Sequence, residues 1–170
     1  MAITEHTSPG RPTCSVPLSG QLDVQTASLF RHSKILIAED HPLVRDGILA
    51  LLRQQPDLQC CGEADSIFTT LTYVALRQPD LLLLDLRLQD GDAFELIRVL
   101  TLKYPSLRIL VLSQCDEKVY AEKSIAAGAR GFLMKQNAPM ELANAIRTVL
   151  AGKIYRSQDL MAERRQAAAA

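Results

Sequence analysis

The sequence lacks the overall positive charge that favours nonspecific binding to nucleic acid, although a local basic patch stays open, and it lacks an apolar run of membrane-spanning length. Lysine plus arginine and aspartate plus glutamate both number 19 in 170 residues, so the formal net charge is zero. Nonspecific binding to nucleic acid or to a membrane surface depends on clustered positive charge, and the composition gives no reason to expect it. The longest apolar runs, such as LRILVL, are far shorter than the roughly 20 residues that a membrane span needs. No membrane partner is therefore expected.

Signals for export and for metal–thiolate sites are also missing. The N-terminus has no basic start followed by an apolar stretch, so we expect no signal peptide and a cytoplasmic protein. The four cysteines show no CxxC or Cys/His metal spacing: Cys14, Cys60, Cys61 and Cys115. Adjacent residues of a strand point to opposite faces, so Cys60 and Cys61 are not expected to pair. We expect reduced, mostly buried thiols, with a redox role for Cys115 as the alternative because it follows a predicted strand end.

Five short apolar runs, each followed by a stretch of helical length and period, occupy the chain from Lys34 onward. The runs are KILIA, LQCCGEA, DLLLLD, LRILVLS and RGFLMK, which begin at Lys34, Leu58, Asp80, Leu107 and Arg130. Runs that are apolar throughout are typical of strands buried on both faces of a parallel sheet. The pattern predicts a flavodoxin-like α/β fold, a (βα)5 arrangement with a five-stranded parallel sheet in the order 2-1-3-4-5 and helices on both faces.

The ends of the helices carry local signals. Pro42 and Pro139 stand where first helical residues are expected. Asp92 with Glu95 three residues later has the outline of a capping box, and Gly128 follows the fourth helical stretch as a terminator. We place the folded domain at residues 34–153. Residues 1–33, rich in Pro, Ser, Thr and Gly, are predicted to form a flexible extension, and residues 154–170 a linker or tail.

Charged and polar side chains follow the predicted strands at their carboxyl ends. The stretch LLLLDLRL runs four leucines directly into Asp85, where an unpaired buried carboxylate would cost several kcal/mol. Other strand ends carry Glu39 with Asp40, Ser113, and Lys135. Because ligands of such folds lie beyond the carboxyl ends of the strands, we expect these side chains to converge on one rim.

Three converging carboxylates repel one another and need a compensating cation. Taken singly, each residue has an ordinary structural interpretation: Asp40 as a helix cap, Lys135 as a surface lysine and Ser113 as a loop hydroxyl. Together, hard oxygen ligands without histidine or cysteine favour Mg²⁺ held by Glu39, Asp40 and Asp85, with Lys135 on the other side. An ionised carboxylate beside Mg²⁺ is also a nucleophile for phosphorus, which makes Asp85 the expected reactive group.

Three stretches carry a specific resemblance to a known family. ILIAEDHPLVRDGILALL (35–52), PDLLLLDLRLQDGDAFEL (79–96) and AAGARGFLMK (126–135) resemble the receiver domain of two-component response regulators. The version EDHPLVRDG is similar to the subfamily joined to LuxR/FixJ-type (NarL-like) DNA-binding domains. The resemblance implies that Asp85 accepts a phosphoryl group from a sensor histidine kinase, and that the protein signals in a phosphorelay rather than acting as an enzyme.

The resemblance also implies roles for further residues. The backbone carbonyl of Arg87 would complete the Mg²⁺ ligands, and Ser113 would hydrogen-bond the phosphoryl group. That bond would let the ring of Phe132 rotate inward; the alternative is that Phe132 is an ordinary core aromatic. The surface of the fourth helix, fifth strand and fifth helix would then support a homodimer. The expected contacts, which are equally consistent with solvated faces, are Lys118, Glu122, Lys123, Glu141, Asn144 and Arg147.

Several positions depart from the family pattern and keep a rival interpretation open. Gln89 stands where proline is usual, Ala93 where glycine is usual, and Gln114 where a small residue is common. Phe132 lacks the hydroxyl of a tyrosine, so a switch there would work by packing. The rival is a pseudo-receiver that acts as an interaction module without phosphorylation. An aspartyl-phosphate hydrolase is disfavoured because Arg87 stands where a second aspartate is expected.

Only 17 residues follow Lys153, too few for a helix-turn-helix domain. We expect any control of transcription, and any contact with DNA, to need a domain that this chain does not contain. Two interpretations remain open, a truncated chain and a stand-alone receiver.

Overall fold

Strands and helices alternate along the chain. The structure, a computed structural model, describes residues 32–114 and 117–157, without the side chains of Glu117 and Lys118. The strands are β1 (Ser33–Ala38), β2 (Leu58–Ala64), β3 (Leu81–Leu84), β4 (Arg108–Ser113), β5 (Gly131–Met134) and β6 (Tyr155–Arg156). The helices are α1 (Pro42–Arg53), α2 (Ile67–Arg77), α3 (Ala93–Lys103), α4 (Glu117–Ala127), a 3₁₀ turn (Lys135–Asn137) and α5 (Ala138–Leu150). The predicted N-terminal extension lies almost wholly outside the described residues, as do Cys14 and Cys115.

The strands form one parallel sheet in the order β2-β1-β3-β4-β5-β6. The predicted flavodoxin-like fold and the order of the first five strands are confirmed. The sixth strand differs from the prediction, which placed residues 154–170 in a tail. Tyr155 pairs with Gly131 and Arg156 with Phe132, so the chain returns to the free edge of β5 after α5.

Two hydrophobic clusters cover the two faces of the sheet. Leu82 and Leu84 pack with residues of α2, α3 and α4 on one face, whereas Leu81 and Leu83 pack with residues of α1 and α5 on the other. All four leucines of β3 are therefore at most 1% exposed. Burial on both faces explains why this strand is apolar throughout instead of alternating.

Most predicted helix signals are present in the structure. Pro42 opens α1, and Pro139 is the second residue of α5. Gly128 follows α4 with a φ of +119°, a left-handed conformation that glycine adopts without steric cost. None of the helices in the described ranges is long and apolar enough to cross a membrane.

The start of α3 differs in one detail from the predicted capping box. The side chain of Asp92 accepts a hydrogen bond from the backbone N–H of Phe94 at 2.8 Å, so it does cap the helix. Glu95 instead pairs with Arg98 at 3.0 Å. A complete capping box lies at α2, where Ser66 and Thr69 bond reciprocally.

Cys60 and Cys61 are free and half-buried, and they pack against opposite faces of the sheet as expected for neighbours in β2. The pairing of β1 with β2 shifts register here, passing from Cys60 directly to Gly62. Burial raises the pKa of both thiols. Thiols with raised pKa values form little thiolate at neutral pH, which disfavours redox chemistry at this pair.

Candidate functional site

The backbone places Glu39 and Asp85 side by side at the carboxyl edge of the sheet. Each residue directly follows its strand, and each backbone N–H extends the ladder by one bond: Glu39 to the carbonyl of Ala64 and Asp85 to the carbonyl of Ala38, both at 2.9 Å. Glu39 is 1% exposed and Asp85 3% exposed. Two carboxylates removed from water at one edge need a positive group beside them.

Lys135 supplies that positive group from the end of β5. Its Nζ atom lies 2.5 Å from Glu39 Oε2 and 3.0 Å from Asp85 Oδ2, and its side chain is only 9% exposed. The ammonium thus lies between the two buried carboxylates. The sequence predicts that these three side chains converge only if the sheet has the expected topology. The structure places them together: Glu39, Asp85 and Lys135.

Asp40 completes the acidic group, which it forms with Glu39 and Asp85, and His41 lies on the solvent side of that group. The side chain of Asp40 is 7% exposed, and its Oδ1 atom lies 2.8 Å from His41 Nδ1. The same ring nitrogen lies 3.1 Å from Glu39 Oε1. His41 was not a candidate from sequence, although its position directly after Glu39 and Asp40 is a signal that points to it.

The charges and distances of this group fit a divalent cation. Three carboxylates and one ammonium leave two negative charges unbalanced. One possible ligand atom is offered by each of four residues, and these atoms lie within 4.8 Å of one another: Glu39, Asp40, His41 and Asp85. This spacing is little more than the ~4.2 Å that separates opposite ligands around Mg²⁺. Glu39 Oε2 and Asp40 Oδ1 are buried and, among the described residues, accept no hydrogen bond of normal geometry despite their close basic neighbours.

The remaining predicted site residues lie on the adjoining strands and loop. Ser113 is the last residue of β4, fully buried and in register with Met134, the residue before Lys135. Arg87 lies two residues after Asp85 with an exposed side chain. Phe132 is 0% exposed and belongs to the first hydrophobic cluster, so its ring already occupies an inward position in this state. Its switch role stays a prediction.

Arg45 is a positioning residue that sequence reasoning missed. Its guanidinium donates a hydrogen bond to the backbone carbonyl of Glu39 at 2.8 Å and pairs with Glu63 at 3.1 Å. This contact ties the start of α1 to the end of β1, where Glu39 and Asp40 project. No local pattern in the sequence distinguishes Arg45 from any exposed helical arginine.

Asp90 fixes the loop that follows Asp85. One carboxylate oxygen accepts a hydrogen bond from the backbone N–H of Ile67 at 2.7 Å, and the other from Phe68 at 3.2 Å. Both N–H groups belong to the first turn of α2, where backbone N–H groups have no partner within the helix. The bond from Ile67, followed by that from Phe68, holds the pKa of the Asp90 carboxyl below its usual value. The loop carrying Arg87 is thereby tethered to a neighbouring helix.

We expect Asp90→Asn to destabilise the protein at neutral pH and to matter less in acid. Because the pKa of Asp90 is lower in the folded state, its stabilising effect is present above its unfolded pKa, about 3.9, and is lost as the pH falls through the folded value. Urea denaturation at pH 7 and at decreasing pH should show the difference from wild type shrinking. Asp46→Asn, an exposed aspartate of α1, controls for loss of charge. A difference that is constant with pH would contradict this role.

The surface expected to form a homodimer is partly covered by the chain itself. Glu122 on α4 pairs with Arg156, and Glu141 on α5 accepts a hydrogen bond from the hydroxyl of Tyr155. Both partners belong to β6. Arg147 forms a bidentate pair with Asp57, its Nε and Nη2 atoms lying 2.8 Å and 2.6 Å from the two carboxylate oxygens.

Two other members of that predicted surface have different outcomes. The ammonium of Lys123 lies 5.5 Å from the centre of the Tyr120 ring. The side chain of Lys118 is outside the described residues. The sequence therefore identified surface positions, several of which are engaged within the molecule.

Comparisons with known proteins point to one family. Residues 35–147 match the family described as the response regulator receiver domain. The chain is 38% identical over 120 residues to the DNA-binding transcriptional activator DevR/DosR of Mycobacterium tuberculosis. That match covers 71% of this chain and 55% of the relative, so the chain spans about half the length of that curated relative.

Solved structures show the same fold. A two-component response regulator of the LuxR family from Aurantimonas sp. SI85-9A1 aligns with a TM-score of 0.73 and 30% identity, covering 79% of this chain and 98% of that one. A structure of two RcsB dimers bound to two parallel DNAs aligns with a TM-score of 0.70 and 26% identity, covering 75% of this chain and 65% of that one.

Proposed function

Because the chain belongs to the response regulator receiver domain family, with relatives of the LuxR, NarL and RcsB type, we propose that it accepts a phosphoryl group on Asp85 from a sensor histidine kinase. The observation that carries the proposal is the buried Lys135 ammonium, 3.0 Å from Asp85 and 2.5 Å from Glu39 at the carboxyl edge of the sheet. Burying two carboxylates with one amine costs folding free energy, and such arrangements of buried charge are found preferentially at functional sites.

In the proposed transfer, a carboxylate oxygen of Asp85 attacks the phosphorus of a phosphohistidine. A P–O bond forms as the P–N bond breaks, and the donor imidazole keeps the electron pair. Lys135 stabilises the negative charge of the phosphoryl oxygens, since transfer depends mainly on positioning and charge neutralisation. Ser113, buried at the end of β4, donates its hydroxyl hydrogen to a phosphoryl oxygen after transfer.

The acidic group is proposed to hold Mg²⁺. Glu39, Asp40 and Asp85, with the backbone carbonyl of Arg87, would be the ligands, consistent with the oxygen atoms that lie close together at this edge. When bound, the ion would supply further charge neutralisation to the phosphoryl oxygens, beside that of Lys135.

The output is proposed to pass through β4 and β5. A phosphoryl group on Asp85 that accepts a hydrogen bond from Ser113 would shift the end of β4, which pairs with β5 beside Phe132. Moving such an equilibrium from mostly off to mostly on needs roughly 5.5 kcal/mol, and charge-assisted hydrogen bonds supply about 1.5–3 kcal/mol each. We propose that the changed face of α4, β5 and α5 supports a homodimer, and that transcription is controlled through a DNA-binding domain outside this chain.

The test of the phosphoacceptor is intact-mass spectrometry after incubation with acetyl phosphate and Mg²⁺. Wild type is expected to gain one phosphoryl group, and Asp85→Asn to gain none, because an amide is not a nucleophile for phosphorus. Asp46→Asn, at an exposed position of α1, should be phosphorylated like wild type. If wild type gains no adduct, the interaction-module interpretation takes its place; if Asp85→Asn still gains one, Asp85 is not the phosphoacceptor.

A further inference from the structure

The imidazole of His41 is the feature of the site that an all-oxygen magnesium centre does not explain. Its Nδ1 atom lies 2.8 Å from Asp40 Oδ1 and 3.1 Å from Glu39 Oε1, directed at the two carboxylates. Glu39 divides its oxygens, with Oε1 beside His41 and Oε2 beside Lys135. The acidic group is thus bounded by an amine on its buried side and by an imidazole on its solvent side.

Helix capping does not account for this position of the ring. His41 is the N-cap residue of α1, yet its side chain makes no capping hydrogen bond to the helix. Its backbone N–H donates to Glu39 Oε1 at 3.1 Å, so the backbone already fixes the residue beside the acidic group. The side chain is 63% exposed, which leaves it room to adjust its position.

We propose that His41 Nδ1 is a direct ligand of the divalent cation, replacing one of the waters that Mg²⁺ would otherwise keep. This inference rests on the metal site proposed above and concerns which ion that site selects. Carboxylates and waters suit Mg²⁺, whereas imidazole nitrogen raises affinity for first-row transition ions. With His41 in the ligand set, the site gains affinity for Mn²⁺ relative to a site built from Glu39, Asp40 and Asp85 alone.

The experiment uses the unphosphorylated protein and Mn²⁺ alone, so that it is independent of phosphoryl transfer. Pulsed electron paramagnetic resonance of bound Mn²⁺ is expected to show a directly coupled imidazole nitrogen in wild type and none in His41→Asn. Asparagine is a favourable N-cap residue and offers a carbonyl oxygen, so this variant keeps the helix start and an oxygen ligand. His32→Ala, outside the site, should keep the nitrogen signal.

Titration calorimetry supplies the affinities. For His41→Asn we expect the Kd for Mn²⁺ to rise about tenfold and the Kd for Mg²⁺ to change less than about threefold. Mn²⁺ binding without a coupled nitrogen, or equal losses for both ions, overturns the ligand role while leaving the carboxylate site standing. If Mn²⁺ and Mg²⁺ both fail to bind wild type, the inference and the proposed metal site fail together, whereas failure of phosphorylation alone affects only the proposed function.

Discussion

Replacing Lys135 with methionine is expected to destabilise the protein by about 3–5 kcal/mol in the absence of divalent ions, because removal of one partner leaves buried charges uncompensated. Glu39 and Asp85 are almost completely buried, and the ammonium lies within 3.0 Å of both. Methionine keeps most of the volume of the side chain, so the loss reports on charge rather than on packing. Urea denaturation in a chelating buffer measures it.

Magnesium should restore part of the stability of the same variant. An ion that binds only the folded state stabilises it by mass action, and a site without its amine has one more negative charge to offer. Phosphorylation by acetyl phosphate should nevertheless fall by about 10²–10³-fold, the usual effect of removing one group that stabilises developing charge. Lys153→Met, at an exposed lysine, is the matched control. Stability equal to that of wild type in chelator would show that Lys135 is not the compensating charge.

The positions of the main acidic residues and of the lysine were predictable because the topology of the sheet determines them. Each lies directly after a buried strand, and parallel strands deliver their carboxyl ends to one edge of the sheet. Glu39 and Asp85 follow β1 and β3, which pair with each other, and Lys135 follows β5. The apolar run before Asp85 predicted the strand, and the strand fixed the position of the carboxylate.

The contacts that support the site and the fold were not predictable, because they join residues that are far apart in the sequence and follow no strand end. Asp90 caps a helix that begins 23 residues earlier in the chain, and Arg147 pairs with Asp57 across 90 residues. Neither separation matches a helix or strand period, so no local pattern carries it. The two-residue strand β6 has the same character, since it forms only because the edge of β5 is available to it.

Replacing Tyr155 with alanine is expected to cost about 3–5 kcal/mol and to release β6 from the sheet, as truncation of a buried aromatic side chain does. The ring is 6% exposed and packs in the cluster formed with α1 and α5. Gly131 allows this approach, because a side chain there would meet Leu110 at 2.8 Å and Tyr155 itself at 3.1 Å. Urea denaturation should show the loss, and Tyr155→Phe, which removes only the hydroxyl bond to Glu141, should cost about 1.5–3 kcal/mol or less.

The same variant tests whether the face of α4, β5 and α5 is held closed by its own chain. Release of β6 would break the pair of Glu122 with Arg156 and the hydrogen bond from Tyr155 to Glu141, and the edge of β5 beside Phe132 would become free to pair. Sedimentation velocity with the phosphoryl mimic beryllofluoride should therefore show a larger dimer fraction for Tyr155→Ala than for Tyr155→Phe. Equal dimer fractions in the two variants would mean that β6 does not compete with a partner for this face.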